Sequence, residues 1–243
     1  MGSFLSVRKR KSNMKEFFTD QPSFPPEIGF SEHLYLVLGL ILVLYGAIKY
    51  HENQKWQRTF KGFQVLQLVL LYGWYLAISA PLSEALPLYH CRMAMLVLLL
   101  ARDESFYKEY FSLMGVFGSI CALVYPVFDP FPWFHVTIFS FIVGHLALLG
   151  NALNYLLRQS TYQLTLEKIA MLTFGINTFI LIVDVVTGGD YGFLRKLPLL
   201  GDFGLVKNYL IESILFTLIL TALSKLFRVV QAAHQVEKQD YGG

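Results

Sequence analysis

The chain has 243 residues, of which 55% are hydrophobic, 16% aromatic and only 15% charged, with a formal net charge of +3. Soluble domains carry about 45–50% apolar residues and about 25% charge, so this composition, with a mean hydropathy of +0.49, excludes an ordinary soluble domain and points to a membrane protein. No basic patch interleaved with aromatics supports a nucleic-acid partner, and two cysteines exclude a disulfide framework or an all-cysteine metal site.

Residues 1–13 hold the basic run Arg8 to Lys11. Met14 offers a second start, which would make them an upstream extension or expression remnant, and no cleavable signal peptide is read there. Residues 14–32 mix Phe17, Phe18, Phe24, Pro25, Pro26 and Phe30 with polar side chains, a composition that suits an interfacial segment on the outer leaflet. Ser31 is the expected N-cap of the first apolar run. Seven such runs follow, near His33–Lys49, Phe63–Leu82, Pro87–Ala101, Tyr110–Phe128, Phe134–Leu157, Ile169–Thr187 and Leu210–Phe227. Most approach the roughly 20 residues that a helix rising ~1.5 Å per residue needs to cross the hydrocarbon core. The expected fold is all-α: a polytopic membrane domain, 33–232, of seven transmembrane helices enclosing a polar cavity open toward the outer side, with a short tail at 233–243.

Lys55, Arg58 and Lys61 lie in the first loop, Arg102 and Lys108 in the third, Arg158 and Lys168 in the fifth, and Arg228 in the tail. The second and fourth loops carry no Lys or Arg, so the positive-inside rule reads the N-terminus as outside and the C-terminus as cytoplasmic in a cell membrane. Arg195, Lys196 and Lys207 vote the other way. The Arg8 to Lys11 run does too, but from beyond the ~15–20 residues over which charge steers topology.

Ionisable groups inside a membrane segment are expensive and face protein or a wet cavity. The run Leu86-Pro87-Leu88-Tyr89-His90-Cys91-Arg92 sets three of them at the start of the short third span, with Pro87 suited to the first helical turn. Cys91 then lies roughly 6 Å into that helix. With the orientation adopted, His33, His90, Cys91, Arg92, Asp184, Asp190 and Tyr191 fall toward the outer half, while His145, followed by Asn151 and Asn154, lies nearer the midplane. A thiol reacts as thiolate, which a helix N-terminus, a cation or an imidazole favours. Neighbours on a helix point about 100° apart, so His90 and Arg92 cannot both face what Cys91 faces, and the base is sought elsewhere: His145, with a depth mismatch of about 8–10 Å, or His33. His90, Arg92, Asn151, Asn154, Asp184, Asp190, Tyr191 and Glu212 are the expected substrate-binding lining. Each has a plainer reading: a buried inert thiol, a histidine bonded to a carbonyl, a snorkelling arginine, and asparagines, Asn177 included, joining helices. Cys121 reads most simply as a small buried hydrophobe, with one Cys91–Cys121 disulfide left open. The histidines are too scattered for local metal-ligand spacing, and neither a metal nor a cofactor is expected.

Four patches, Phe30-Ser31-Glu32-His33, Leu86 to Cys91, Gly144-His145, and Thr187 to Leu194 with Pro198, fall in order along nearly the whole membrane part. In these the chain resembles the YwaF family of bacterial integral membrane proteins, whose animal relative is described as an ether-phospholipid acyltransferase. The family pattern carries His where this chain has Tyr89, and Asn where it has Asp190. The resemblance implies a lipid acyltransferase acting on membrane phospholipids, with Cys91 as the acyl-accepting nucleophile and His145 as a candidate base. The alternative is a non-enzymatic lipid or small-molecule carrier or receptor using the same cavity.

Overall fold

The computed structural model describes residues 14–159, 163–195, 197 and 201–240, so the extension read at 1–13, Lys196, Pro198 and the last three residues lie outside the described residues. Apart from one bridge between Leu197 and Gly201, the regular structure described is helical. The helices are α1 (Met14–Phe17), α2 (Phe30–Tyr50), α3 (Gln54–Ala77), α4 (His90–Leu100), α5 (Phe106–Val124), α6 (Val136–Arg158), α7 (Leu166–Thr187) and α8 (Leu205–Asp240). After the short α1, they follow the apolar runs one for one. Four are long and apolar enough to cross a membrane, namely α2, α6, α7 and the Leu205–Ala233 part of α8, while α4 is a shorter apolar helix. The chain is an all-α, multi-span membrane protein.

Capping chemistry moves several ends away from the expected ones. Gly29, not Ser31, is the N-cap of α2, and the Ser31 hydroxyl donates to Glu32 Oε2 at 3.0 Å. Asn53 accepts from the Lys55 and Trp56 amides and so starts α3 well before Phe63. Pro87 lies outside α4, which begins at His90 with Tyr89 as its N-cap and no side-chain cap bond. Cys91 is therefore the second residue of the helix rather than roughly 6 Å into it. The cause is distant in sequence: Tyr191 Oη donates to Leu82 O at 2.5 Å and accepts from the Leu86 amide at 2.9 Å, holding the preceding segment out of the helix. Gly188 closes α7 at φ +78°, a left-handed cap that a Cβ would strain.

The bundle is built around α6, which is buried along most of its length and packs on α2, α3, α4, α5 and α8. Gly150 lets the Phe60 ring lie directly against the α6 backbone, since a Cβ there would run into it. Helix α7 packs chiefly on α8 and is fastened to α5 by Tyr110 Oη and Thr173 Oγ1 at 2.9 Å. The bundle has two ends, one holding the start of α4 and the other the α4–α5 loop with Asp103. The N-terminal segment is tied over the first. Its Phe18 and Thr19 carbonyls accept from Trp74 Nε1 and from His135 Nε2, and the Ser23 amide donates to Pro130 O.

Candidate functional site

Three consecutive side chains open α4 and diverge onto three helices, as a 100° step per residue requires. His90 is buried and turns to α7, its Nε2 2.7 Å from Asn177 Oδ1. Because Asn177 Nδ2 donates to Ser213 Oγ at 2.9 Å, its Oδ1 is the acceptor and His90 Nε2 carries the proton. The imidazole is thus one end of a chain joining α4, α7 and α8. Cys91 turns to α5, where its Sγ occupies the space above Gly118; a Cβ on that glycine would come within 2.6 Å of the sulfur. Both thiols are free, so the disulfide left open by the sequence is not formed, and Cys121 is exposed.

Arg92 turns to α3. Its Nη2 donates to Tyr75 Oη at 3.1 Å, and its Cζ lies 5.0, 5.4 and 5.9 Å from the ring centroids of Tyr89, Tyr75 and Tyr72. Nη1 is buried without a partner, as is Tyr72 Oη, and no carboxylate is ion-paired with the guanidinium among the described residues. An aromatic cage stabilises the charge through the ring faces yet leaves N–H donors unspent, so the group is electrostatically supported and still able to bind an anion.

Gly115 of α5 packs on Leu148 and Ala152 of α6, and Gly118, where the Cys91 sulfur sits, lies one turn further along α5. Gly144, beside His145 on α6, packs on the Met95 side chain, one turn beyond Cys91 on α4. His145 Nδ1 donates to Phe141 O at 2.6 Å, which leaves Nε2 with its lone pair. No histidine is hydrogen-bonded to Cys91 among the described residues. His33 is half-buried in the first turn of α2; Gly39 of that helix packs on Leu146, so His33 stands roughly 9 Å outward of Leu146.

The remaining expected site residues separate into two groups. Asp184, Asp190 and Tyr191 organise the α7–α8 loop: Asp184 Oδ1 accepts from the Tyr191 amide at 2.9 Å, Asp190 Oδ1 from the Arg195 amide at 3.1 Å, and the Tyr191 ring meets Tyr89 edge-on at 5.0 Å. Asp184 Oδ2, and Glu212 Oε2 on α8, are buried without partners. A cavity of about 390 Å³ runs beside them, lined by Asp184, Arg195, Asp202 and leucines. Asn151 and Asn154 belong to the opposite end, where Asn151 Nδ2 donates to Phe60 O and Asn154 Oδ1 accepts from Trp56 Nε1. They line a second cavity, of about 310 Å³, with Asp103 and Lys108. Cys91 lines neither, so the two asparagines do not share a cavity with it.

Sequence reading passed over Tyr72 and Tyr75, and also Gln64 and Gln67. Gln67 Oε1 accepts from Ser140 Oγ at 2.5 Å, and Gln64 is fully buried with both amide atoms unpartnered. The signal was present: each pair is spaced i,i+3 within an apolar run, hence on one helix face. Among the described residues, no three His, Cys, Asp or Glu side chains converge as for a metal ion.

Helical bundle, apolar spans and a cluster of polar groups buried at one end define a multi-pass membrane protein with a half-buried thiol at an uncapped helix start. The chain matches the TMEM164 family over residues 25–227, from before α2 to the middle of α8, and belongs to that family. No curated protein and no solved structure matches it.

Proposed function

We propose that the chain is a membrane-embedded lipid acyltransferase in which Cys91 accepts an acyl chain from a phospholipid and passes it to a lyso-lipid or another hydroxyl acceptor. The observation that carries the reading is the position of Cys91: second residue of an uncapped helix, with its sulfur over Gly118. The Cys91 thiolate attacks the ester carbonyl, the ester C–O bond breaks, and the departing lyso-lipid takes the proton that the base removed from the thiol. The acceptor hydroxyl then loses its proton to the base and attacks the thioester, whose C–S bond breaks to regenerate the thiolate. His145 is the better base, because the bond of its Nδ1 to Phe141 O leaves Nε2 with a free lone pair; His33 is the second candidate. Free N–H groups of the first turn of α4 would steady the oxyanion, and Arg92 Nη1 a phosphate headgroup. The YwaF resemblance supports the same chemistry. In this reading α2 to α8 span the bilayer, the short α4 together with the segments that flank it. The Asp103 end, where Lys55, Arg58, Lys61, Arg102 and Arg158 gather, faces the cytoplasm.

The test is acyl transfer in proteoliposomes by Cys91→Ala and Cys91→Ser proteins. Loss of transfer together with loss of a Cys91-dependent acyl adduct supports the thioester; full activity in both variants sinks it. Lipid or small-molecule flux that survives both replacements favours the carrier reading.

A further inference from the structure

The cavity at the Asp103 end is built independently of Cys91. Its floor is α6: Asn154 is 4% exposed, its Oδ1 fixed by the Trp56 indole N–H at 3.1 Å, so that Nδ2 is the atom left over, buried and without an acceptor among the described residues. That assignment cannot be flipped, since an amide nitrogen would not accept from the indole. The walls carry three cations, Lys61, Lys108 and Arg158, and two carboxylates, Asp103 and Glu104. One cation and one carboxylate are mutually engaged: Lys108 Nζ donates to Asp103 Oδ1 at 2.6 Å and to Ala101 O at 3.0 Å. Arg158 Nη1 holds Gln57 Oε1 at 2.9 Å, which steadies the guanidinium at the rim, and Lys61 is exposed beside it.

Three cations thus face two carboxylates in this cavity, with an unpartnered amide N–H at the bottom and a guanidinium and an ammonium at the mouth. Fixed donors at depth and cations at the rim match an oxyanion carrying more than one charge. We propose that this cavity binds the phosphate group of a ligand, with Asn154 Nδ2 at its floor and Lys61 and Arg158 at its rim. About 310 Å³ admits a phosphate with a few further atoms. The phosphate could belong to an anionic phospholipid of the adjoining leaflet or to a soluble phosphate compound, two sources of the same chemistry. The site does not rest on the acyl-transfer reading, and Cys91→Ala protein should bind equally well.

The experiment is thermal unfolding of the purified full chain in neutral detergent, with inorganic phosphate or with dioleoyl phosphatidic acid in mixed micelles. Sodium chloride at matched ionic strength and dioleoylglycerol are the controls. The expected result is a midpoint rise of about 2–4 °C near saturation with at least one phosphate probe and none with its control. The rise should vanish in Arg158→Gln and Lys61→Gln, both changes at exposed positions. It should also vanish in Asn154→Asp, which keeps the acceptor for Trp56 but sets a carboxylate at the floor. A response to inorganic phosphate assigns a soluble ligand, and a response to phosphatidic acid alone assigns a headgroup. No rise with either probe, or a rise that survives both rim variants, overturns the proposal.

Discussion

The two ends of the bundle handle buried polarity in different ways. The Asp103 end mixes local and remote partners: Lys108 reaches Asp103 and Ala101, Asn53 caps α3 and Ser105 caps α5, while Arg158 holds Gln57, Asn154 holds Trp56 and Asn151 holds Phe60 O. At the Cys91 end the partners are remote: His90 with Asn177, the Leu86 amide with Tyr191, Arg92 with Tyr75. Short loops with their own caps give the first end part of its structure locally. The second is assembled only when α3, α4, α7 and α8 have docked. The polar groups left unspent there, Arg92 Nη1, Asp184 Oδ2 and Glu212 Oε2, persist because the surrounding fold holds them in place.

The largest effect should come from the Cys91 end and appear in activity. Cys91→Ala should reduce acyl transfer by more than about a hundredfold, because without the nucleophile only binding and oxyanion contacts remain. Gly118→Ala is the sharper companion. Its Cβ would crowd the sulfur at 2.6 Å, so thiol labelling and acyl transfer should fall together while the bundle stays folded. If Gly118→Ala left labelling of Cys91 and turnover unchanged, the position of the sulfur above α5 would have no bearing on the chemistry.

Next in size is the loop clasp. Tyr191→Phe removes one hydroxyl that serves both the carbonyl of exposed Leu82 and the amide of half-buried Leu86. A cost of about 1–3 kcal/mol follows, read as a midpoint drop of about 2–4 °C per kcal/mol. Thiol reactivity should change with it, because the clasp decides where α4 begins. Asn177→Ala cuts the bonds to both His90 and Ser213, and interhelical hydrogen bonds in membranes average about 0.6 kcal/mol, so a loss of about 1 kcal/mol is expected in the same assay.

This contrast also decides what could be read from the chain alone. The seven helices in order were legible, because each is an apolar run of roughly spanning length. The start of α4 was not, because Pro87 favours a first helical turn locally and Tyr191, more than a hundred residues away, overrides it. Asn177 as a helix-joining residue was legible from its type. The cage of Tyr72 and Tyr75 around Arg92 required knowing that α3 and α4 meet, although the i,i+3 spacing of the two tyrosines was in view.

The smallest effect belongs to the Asp103 end and concerns pH. Asp103 sits in the α4–α5 loop, where the Lys108 hydrogen bond holds its carboxyl below the ordinary carboxylate range, with Lys61 and Arg158 adding to the pull. A folded value below the unfolded one, about 3.9, means that the pair's stabilisation is fully present above that value. It is lost as pH falls through the folded value. The Asp103 side chain is 72% exposed, so solvent screening limits the contribution to less than about 1 kcal/mol. Asp103→Asn should therefore unfold slightly earlier than the parent at pH ~6 and together with it near pH ~3, as measured by thermal unfolding across that range. An Asp103→Asn protein as stable as the parent at both pH values would show that Lys108 draws its support there from Ala101 O and the Tyr155 ring, 5.6 Å from Nζ, and not from the carboxylate charge.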